Sequence, residues 1–370
     1  MRSLLLGLIL LLAACEAPAP PPAPSLALGE LLGGDNVEGF QRAQGLRTFS
    51  FPEDHGPHPG FRNEWWYLTG NVHTDSGRHF GYQVTFFSTA LATEVSAGPE
   101  TSAWRGTSVW MAHVALTDTE AGRHQALERF SRQNPGLAGA QGQPFRVWLE
   151  DWSLRAVAGD AFPWQLTVVD EDLALNLRIS PQKPPVLQGE AGLSQKSPQP
   201  GNASYYYSLT RLATEGEIRV GERAFQVSGD SWLDREWSTS ALAPDQSGWD
   251  WFSLQFDDNQ ELMYYQLRDR KGETHPNSQG NWTDSSAKQT LIRPQDMQLE
   301  ELQTWTSPAG IVYATRWRMH YGDHSWAVQA VLDDQLMDLS LPYWEGAVRV
   351  LDEAKGEQVG QGYLEMVRER

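Results

Sequence analysis

The stretch WDWFSLQFDDNQELMYYQLR, residues 249–268, places two aromatic-rich runs on either side of Asp257, Asp258, Asn259 and Gln260. Four turn-forming residues between two such runs predict an antiparallel hairpin. The same two-residue period recurs elsewhere. Phe80, Tyr82, Val84 and Phe86 fall on one face of a strand, and Gly81, Gln83 and Thr85 on the other. Further strands are expected at 109–116, at 145–154, at 164–179 (Leu173, Leu175, Leu177 and Ile179 on one face), and later at 311–320, 325–332 and 361–367. No amphipathic helix longer than about three turns stands out. Short strands joined by Gly, Asp and Asn turns predict an all-β chain of antiparallel barrels or sandwiches, with room for one small ligand in a barrel mouth or between domains.

The chain opens with Met1, Arg2 and Ser3, an apolar run from Leu4 to Leu12, then Ala13, Ala14 and Cys15. A positive start, a short apolar core and small residues predict a secretory signal at 1–14, too short to span a bilayer. Leu12-Ala13-Ala14-Cys15 resembles the lipobox of bacterial lipoproteins. Cys15, the only cysteine, has no partner for an intramolecular disulfide and is expected to carry palmitate-type acyl chains that anchor the protein to a membrane. Residues 15–44 form a Pro/Ala-rich tether that favours extended polyproline II. Glu16 after the cysteine resembles the Gram-negative sorting signal for the outer membrane, facing the periplasm.

The remaining chain exceeds one small core, and two domains are expected, at 45–230 and 231–370. The Pro/Gly/Gln/Ser-rich stretch 181–203 reads as a long loop of the first. Lys plus Arg number 29 against 47 acids, a net charge of −18. Such a surface repels nucleic acid and anionic head groups. Tryptophan is frequent, with 16 residues.

No G-x-S-x-G elbow, P-loop, G-x-G-x-x-G or H-E-x-x-H occurs, so no short motif supports hydrolytic or nucleotide chemistry. His55 and His58 have H-x-x-H spacing but no third ligand nearby, so neither a metal nor a cofactor is expected. His113 reads as a core or cavity-lining residue. Chemistry-bearing residues gather in polar-aromatic clusters: Arg62 to Tyr67, Trp232 to Trp237, Trp249 to Trp251, Tyr264 to Asp269 and Tyr343 to Glu345. Glu64, Trp66 and Leu68 share one strand face, and Asn63, Trp65 and Tyr67 the other. A glutamate beside Trp66 is costly to bury unless Arg62, Arg235 or a histidine pairs with it; unpaired against an apolar cavity, it becomes a candidate acid. Glu64 is thus one candidate acid; Asp234 and Glu236, in the Trp232 to Trp237 cluster, are the others. The candidate ligand-binding residues are Trp66, Tyr67, Trp237, Trp249, Trp251, Tyr264 and Trp344.

The ordered motifs HPGFRNEWWY (58–67), WLDREW (232–237), GWDWF (248–252) and YWEGAV (343–348) resemble the AttH-like secreted proteins related to carotenoid 1,2-hydratase. The resemblance covers roughly residues 45–367 and implies two lipocalin-like antiparallel β-barrels packed side by side. It also implies an alkene-hydrating site with a tryptophan, Trp237 or Trp251, and a Tyr-x-Asp element placed at Tyr264. Two positions on stands Gln266, which cannot protonate an alkene. Three functions stay open. One is binding of a lipophilic small molecule, with an ABC-type membrane transporter as expected partner. Another is an acid-catalysed hydratase or cyclase of an isoprenoid-like alkene. The third is a hydrolase, as such proteins are often labelled.

Overall fold

Residues 37–93, 107–159, 161–240 and 242–368 are described by a computed structural model. The signal, Cys15 and most of the tether lie outside these residues. Strands account for the architecture. Those of the first sheet are β1 (Asn63–His73), β2 (His79–Ala90), β3 (Ser108–Asp118), β4 (Arg123–Arg132), β5 (Ala138–Gln141), β6 (Arg146–Leu149), β7 (Trp152–Ala158), β8 (Ala161–Val169), β9 (Leu173–Pro181), β10 (Val186–Leu187), β11 (Leu193–Gln195), β12 (Ala203–Val220) and β13 (Arg223–Ser238). The second contains β14 (Gln246–Phe256), β15 (Glu261–Asp269), β16 (Gln279–Thr283), β17 (Gln289–Ile292), β18 (Met297–Thr306), β19 (Val312–Tyr321), β20 (His324–Ala330), β21 (Leu336–Met337), β22 (Tyr343–Asp352) and β23 (Gln358–Arg368). Among the described residues the helical pieces are two short 3₁₀ turns, Glu53–His55 and Pro294–Asp296.

The main path of the first sheet is β4-β3-β2-β1-β13-β12-β9-β8-β7-β6-β5, and that of the second is β17-β16-β15-β14-β23-β22-β20-β19-β18. Both are antiparallel and curl into barrels; in the first, β6 packs back against β2, β3 and β4. Asp257 to Gln260 join β14 to β15 as the sequence predicts, with Asn259 at φ 63°. Two expected strands are hairpins instead. Glu150 takes a left-handed φ of 57° and splits 145–154 into β6 and β7, and the acidic turn at 170–172 splits 164–179 into β8 and β9.

The domain boundary also moves. β13 pairs with β1 along its whole second half, from Ser228 opposite His73 to Ser238 opposite Asn63. The motif WLDREW therefore belongs to the first barrel, and the chain passes to the second sheet between Ser238 and Gln246 rather than at 230/231. The stretch 181–203 is more than a loop. Its two short strands pair with β12, Lys183 Nζ reaches Glu261 of the second barrel at 2.8 Å, and the Gly189 amide reaches Asn281 at 2.8 Å.

Strand alternation decides what fills each barrel. Trp66, Leu68, Tyr82, Val84, Leu233 and Trp237 point into the first, and Phe252, Leu254, Tyr264, Trp317, Trp344 and Leu364 into the second. Segment 47–61 seals one end of the first barrel: Phe51 sits edge-on to Tyr207 at 4.9 Å, and His58 stacks on Trp237 at 3.6 Å. The opposite face of β1, β2, β3, β12 and β13 is apolar too, and it packs against the outer face of β14, β15, β22 and β23. Gly81 permits this approach, because a Cβ there would lie 2.6 Å from Ala347 Cβ and 3.0 Å from the Tyr363 hydroxyl. Gly81→Leu is expected to wedge the barrels apart and cost about 1–3 kcal/mol, the usual range for overpacking, measured by denaturant unfolding. The same change at Gly77, where nothing lies within 4 Å, bears only the strain of its φ of 87°.

Candidate functional site

Where the two barrels meet, their packed outer faces leave a cavity of about 760 Å³, counting the part open to solvent. The first barrel contributes Trp65, Tyr67, Phe87, Tyr206, Asp234 and Glu236. Facing them from the second are Trp249, Trp251, Tyr265, Leu267 and Glu365. Lys196 and Leu242 enter from connecting segments. Register explains the grouping: Trp65 lies opposite Glu236 and Tyr67 opposite Asp234 across β1 and β13, and Trp251 opposite Glu365 across β14 and β23. Directly opposed residues of antiparallel strands share a face, so rings and acids alternate in one wall.

Asp234 is buried and accepts three hydrogen bonds: Ser208 Oγ at 2.5 Å and Trp232 Nε1 at 2.6 Å to Oδ1, and Tyr206 Oη at 2.6 Å to Oδ2. Trp251 Nε1 donates in turn to Tyr206 Oη at 3.1 Å, linking an indole of one barrel to an acid of the other. Burial pushes the Asp234 carboxyl up to about 7; the three donors oppose the rise and the nearby Glu236 adds to it. Glu236 forms an ion pair with Lys196 Nζ at 3.2 Å and accepts from Ser204 Oγ. Burial works against the Lys196 charge, but Glu236 and Tyr265 more than offset it, so its pKa is raised. Glu365 accepts from Trp249 Nε1 at 3.1 Å; burial raises it to about 8 against that donor, helped by Asp234 and Glu236. Glu345, directly across from Glu365 on β22, is raised well above the carboxylate range by burial and by its neighbour.

Of the residues predicted from sequence, Asp234, Glu236, Tyr67, Trp249 and Trp251 meet in this cavity. Glu64 does not. Its Oε2 lies 2.6 Å from Arg235 Nη2, and although burial opposes its charge, Arg235 and His58 lower its pKa. Glu64 is thus a paired structural anion, not a candidate acid. Trp66, Trp237, Tyr264 and Trp344 are also absent, because their strand parity turns them into the barrel cores. Gln266 likewise stands outside the cavity wall, hydrogen-bonded to Asp250 at 3.4 Å and to Thr274 at 3.1 Å. His113 is buried, its Nδ1 2.9 Å from the Tyr343 hydroxyl. Sequence reading missed Trp65, Phe87, Lys196, Tyr206, Tyr265, Leu267 and Glu365. The acid inside the apolar strand GYLEMV was a signal for Glu365; Lys196, in an irregular stretch, offered none.

Asp234, Glu365 and Glu345 keep protons in the native state that the unfolded chain sheds near pH 4, so each destabilises the fold as pH rises toward its native value. Buried His55 and His124 (lowered to about 4) and His79 and His113 (to about 3) act oppositely, weakening the fold as pH falls below 6.5. The two sets offset one another in mildly acidic solution. From pH 6.5 upward the carboxyl effect, at roughly 1.4 kcal/mol per group per pH unit at most, outweighs the histidine effect, which fades by about pH 7.5. Thermal melts are therefore expected to lose several degrees between pH 6.5 and 8.5. Glu365→Gln should flatten that loss; an unchanged slope would mean Glu365 is ionised throughout.

The site and fold together define a class: a two-barrel β protein whose interdomain cavity sets buried, proton-holding acids among aromatic rings. The chain belongs to the AttH-like family, whose profile matches residues 42–368. Among solved structures it is similar to an AttH protein from Nitrosomonas europaea, with 33% identity over 87% of this chain and 97% of that one, at a TM-score of 0.77. It shares its fold with kievitone hydratase from Nectria haematococca (13% identity, 89% and 98% of the two chains, TM-score 0.66). CghA is a more distant likeness, at 12% identity over 93% and 98% of the chains and a TM-score of 0.51. No curated protein matches the chain.

Proposed function

We propose that the interdomain cavity binds a lipophilic, isoprenoid-like alkene and that Asp234 protonates it, making the protein an acid-catalysed hydratase or cyclase. The carrying observation is Asp234 itself: a buried carboxyl, raised by burial to about 7, in a wall of Tyr67, Tyr206 and Trp251. A general acid works best with a pKa near the operating pH. Transfer of its proton to the less substituted alkene carbon leaves a tertiary cation, which the faces of Trp65, Tyr67 and Trp251 stabilise. Water then adds to the cation and returns its proton to the Asp234 carboxylate; in a cyclase a second alkene of the same molecule attacks and the carboxylate takes back a proton from a C–H beside the new cation instead. Glu236, held by Lys196, is placed to orient the water. One structural neighbour bears the name of a hydratase, a likeness of fold at 13% identity.

The order of the readings thus changes from that given by sequence, where binding alone came first. Binding without turnover, in service of a transporter, keeps the support of Leu12-Ala13-Ala14-Cys15, which favours a lipid-anchored protein, and of Glu16, which favours the outer membrane. The two are separated by incubating the protein with acyclic isoprenoid alkenes in heavy-oxygen water. Mass spectrometry is expected to find an alcohol bearing the label, or a cyclised isomer; bound but unaltered alkene would favour the carrier.

A further inference from the structure

The acid mechanism leaves unused two buried carboxyls that no ion pair holds. Glu345 and Glu365 face each other across β22 and β23, and among the described residues no Lys, Arg or His forms an ion pair with either. Lys196, the cation that lines the cavity, is engaged by Glu236. The hydroxyls of Tyr67 and Tyr343 lie beside Glu345 and offset its burial in part, but neither reaches hydrogen-bonding geometry. Both Glu345 oxygens and the Tyr67 hydroxyl are buried without a hydrogen-bonding partner in the protein. Unpartnered polar atoms so deep cost about 1–3 kcal/mol each, and a fold that keeps several together beside a cavity has a use for them. Tyr67 and Glu365 line that cavity, and Glu345, which is not part of its wall, adjoins both, so the group borders the space assigned to the ligand.

Resting on the reading of that cavity as a lipophile site, we propose that Glu345, Glu365 and the Tyr67 hydroxyl form a polar subsite that recognises an uncharged oxygen, a hydroxyl or carbonyl, on the ligand. A neutral carboxylic acid donates one hydrogen bond and accepts others, as a phenol does, and together they satisfy such an oxygen. Anionic head groups are disfavoured by Glu236 and by the developing charge of any acid that ionises, and pairing with an ammonium would require one of the two acids to release its proton. The preferred ligand is an alkene-bearing alcohol, phenol or ketone, rather than a bare hydrocarbon, a carboxylate or an amine.

Four probes with one tail and different heads test this: geraniol, geranate, geranylamine and 2,6-dimethyl-2,6-octadiene. Quenching of tryptophan fluorescence at neutral pH reads the binding, since Trp65, Trp249 and Trp251 line the cavity. Geraniol is expected to bind at least about fivefold tighter than each of the others, the effect of a satisfied polar contact. Glu365→Gln, which keeps a donor, should retain the preference, and the double variant E345L/E365L should lower geraniol to the level of the diene. Replacing unpaired buried acids by apolar side chains is compatible with folding. Equal affinities, tighter binding of geranate or geranylamine, or a preference that survives in E345L/E365L would overturn the subsite while leaving the lipophile cavity standing. No binding by any of the four would overturn both. Asp234→Asn separates the two claims from the other side, since it should lower turnover by about 10²–10⁴-fold and leave the head-group preference intact.

Discussion

Asp234→Asn is expected to lower turnover on an isoprenoid alkene by about 10²–10⁴-fold while the protein remains folded, the range for loss of a general acid. The amide keeps an oxygen to accept from Ser208 and Trp232, and its nitrogen can donate to Tyr206 once that hydroxyl rotates. Below about pH 7 the native carboxyl holds its proton, so the neutral substitute there removes a proton donor rather than a charge. Relative to the parent, its melting temperature should rise as pH climbs from 4 to 7, where the parent's aspartate ionises in the unfolded chain but keeps its proton in the native one, and change little beyond. Product formation and thermal melts on the same sample check both halves. Full turnover by the variant would assign the proton to another group, Glu365 being next, because it lines the same cavity and is raised to about 8.

The largest effect on stability is expected at Arg235→Met. The guanidinium is fully buried and lies 3.7 Å above the Trp66 ring. It donates to Glu64 at 2.6 Å and to the backbone oxygens of Gly56 and Trp65. Removing it strands the Glu64 carboxylate in a closed barrel end, with the His58 ring 3.7 Å away and the His58 amide as its remaining partners. Breaking one half of a buried pair costs about 3–5 kcal/mol, which lowers the melting point of a domain this size by roughly 10 °C. The double variant E64Q/R235M should recover much of the loss, since it removes the orphaned charge as well. Equal stability of the single and double variants would show that the arginine acts through Gly56 and Trp66 instead.

That pair also marks how far the residues can be read one by one. Glu64 and Asp234 are both acids set beside tryptophan in strands of similar composition, and the local sequence gives them the same appearance. One is held ionised by an arginine 171 positions away along the chain, the other is pushed up to about 7 by burial in a cavity that the second barrel closes. Lys196 is less visible still, because its segment is irregular and its partner Glu236 is supplied by β13. Likewise the split of 145–154 into a hairpin turns on one backbone angle at Glu150, which a Glu-Asp pair does not announce.

Sequence alone determined the all-β character, the hairpin of residues 249–268, the alternation that sorts Trp66 from Trp65 and Trp237 from Glu236, and the family resemblance. Tertiary structure alone decided which of each strand's two faces is barrel core and which is cavity wall. A period of two separates the faces but does not rank them when both carry rings, as β1 and β13 do. Rank follows from the direction in which a sheet curls and from the surface that covers its outside, and both depend on pairings between residues far apart in the chain. The chemistry follows the same rule, since an acid takes its pKa from its surroundings, and those of Asp234 come from two barrels at once.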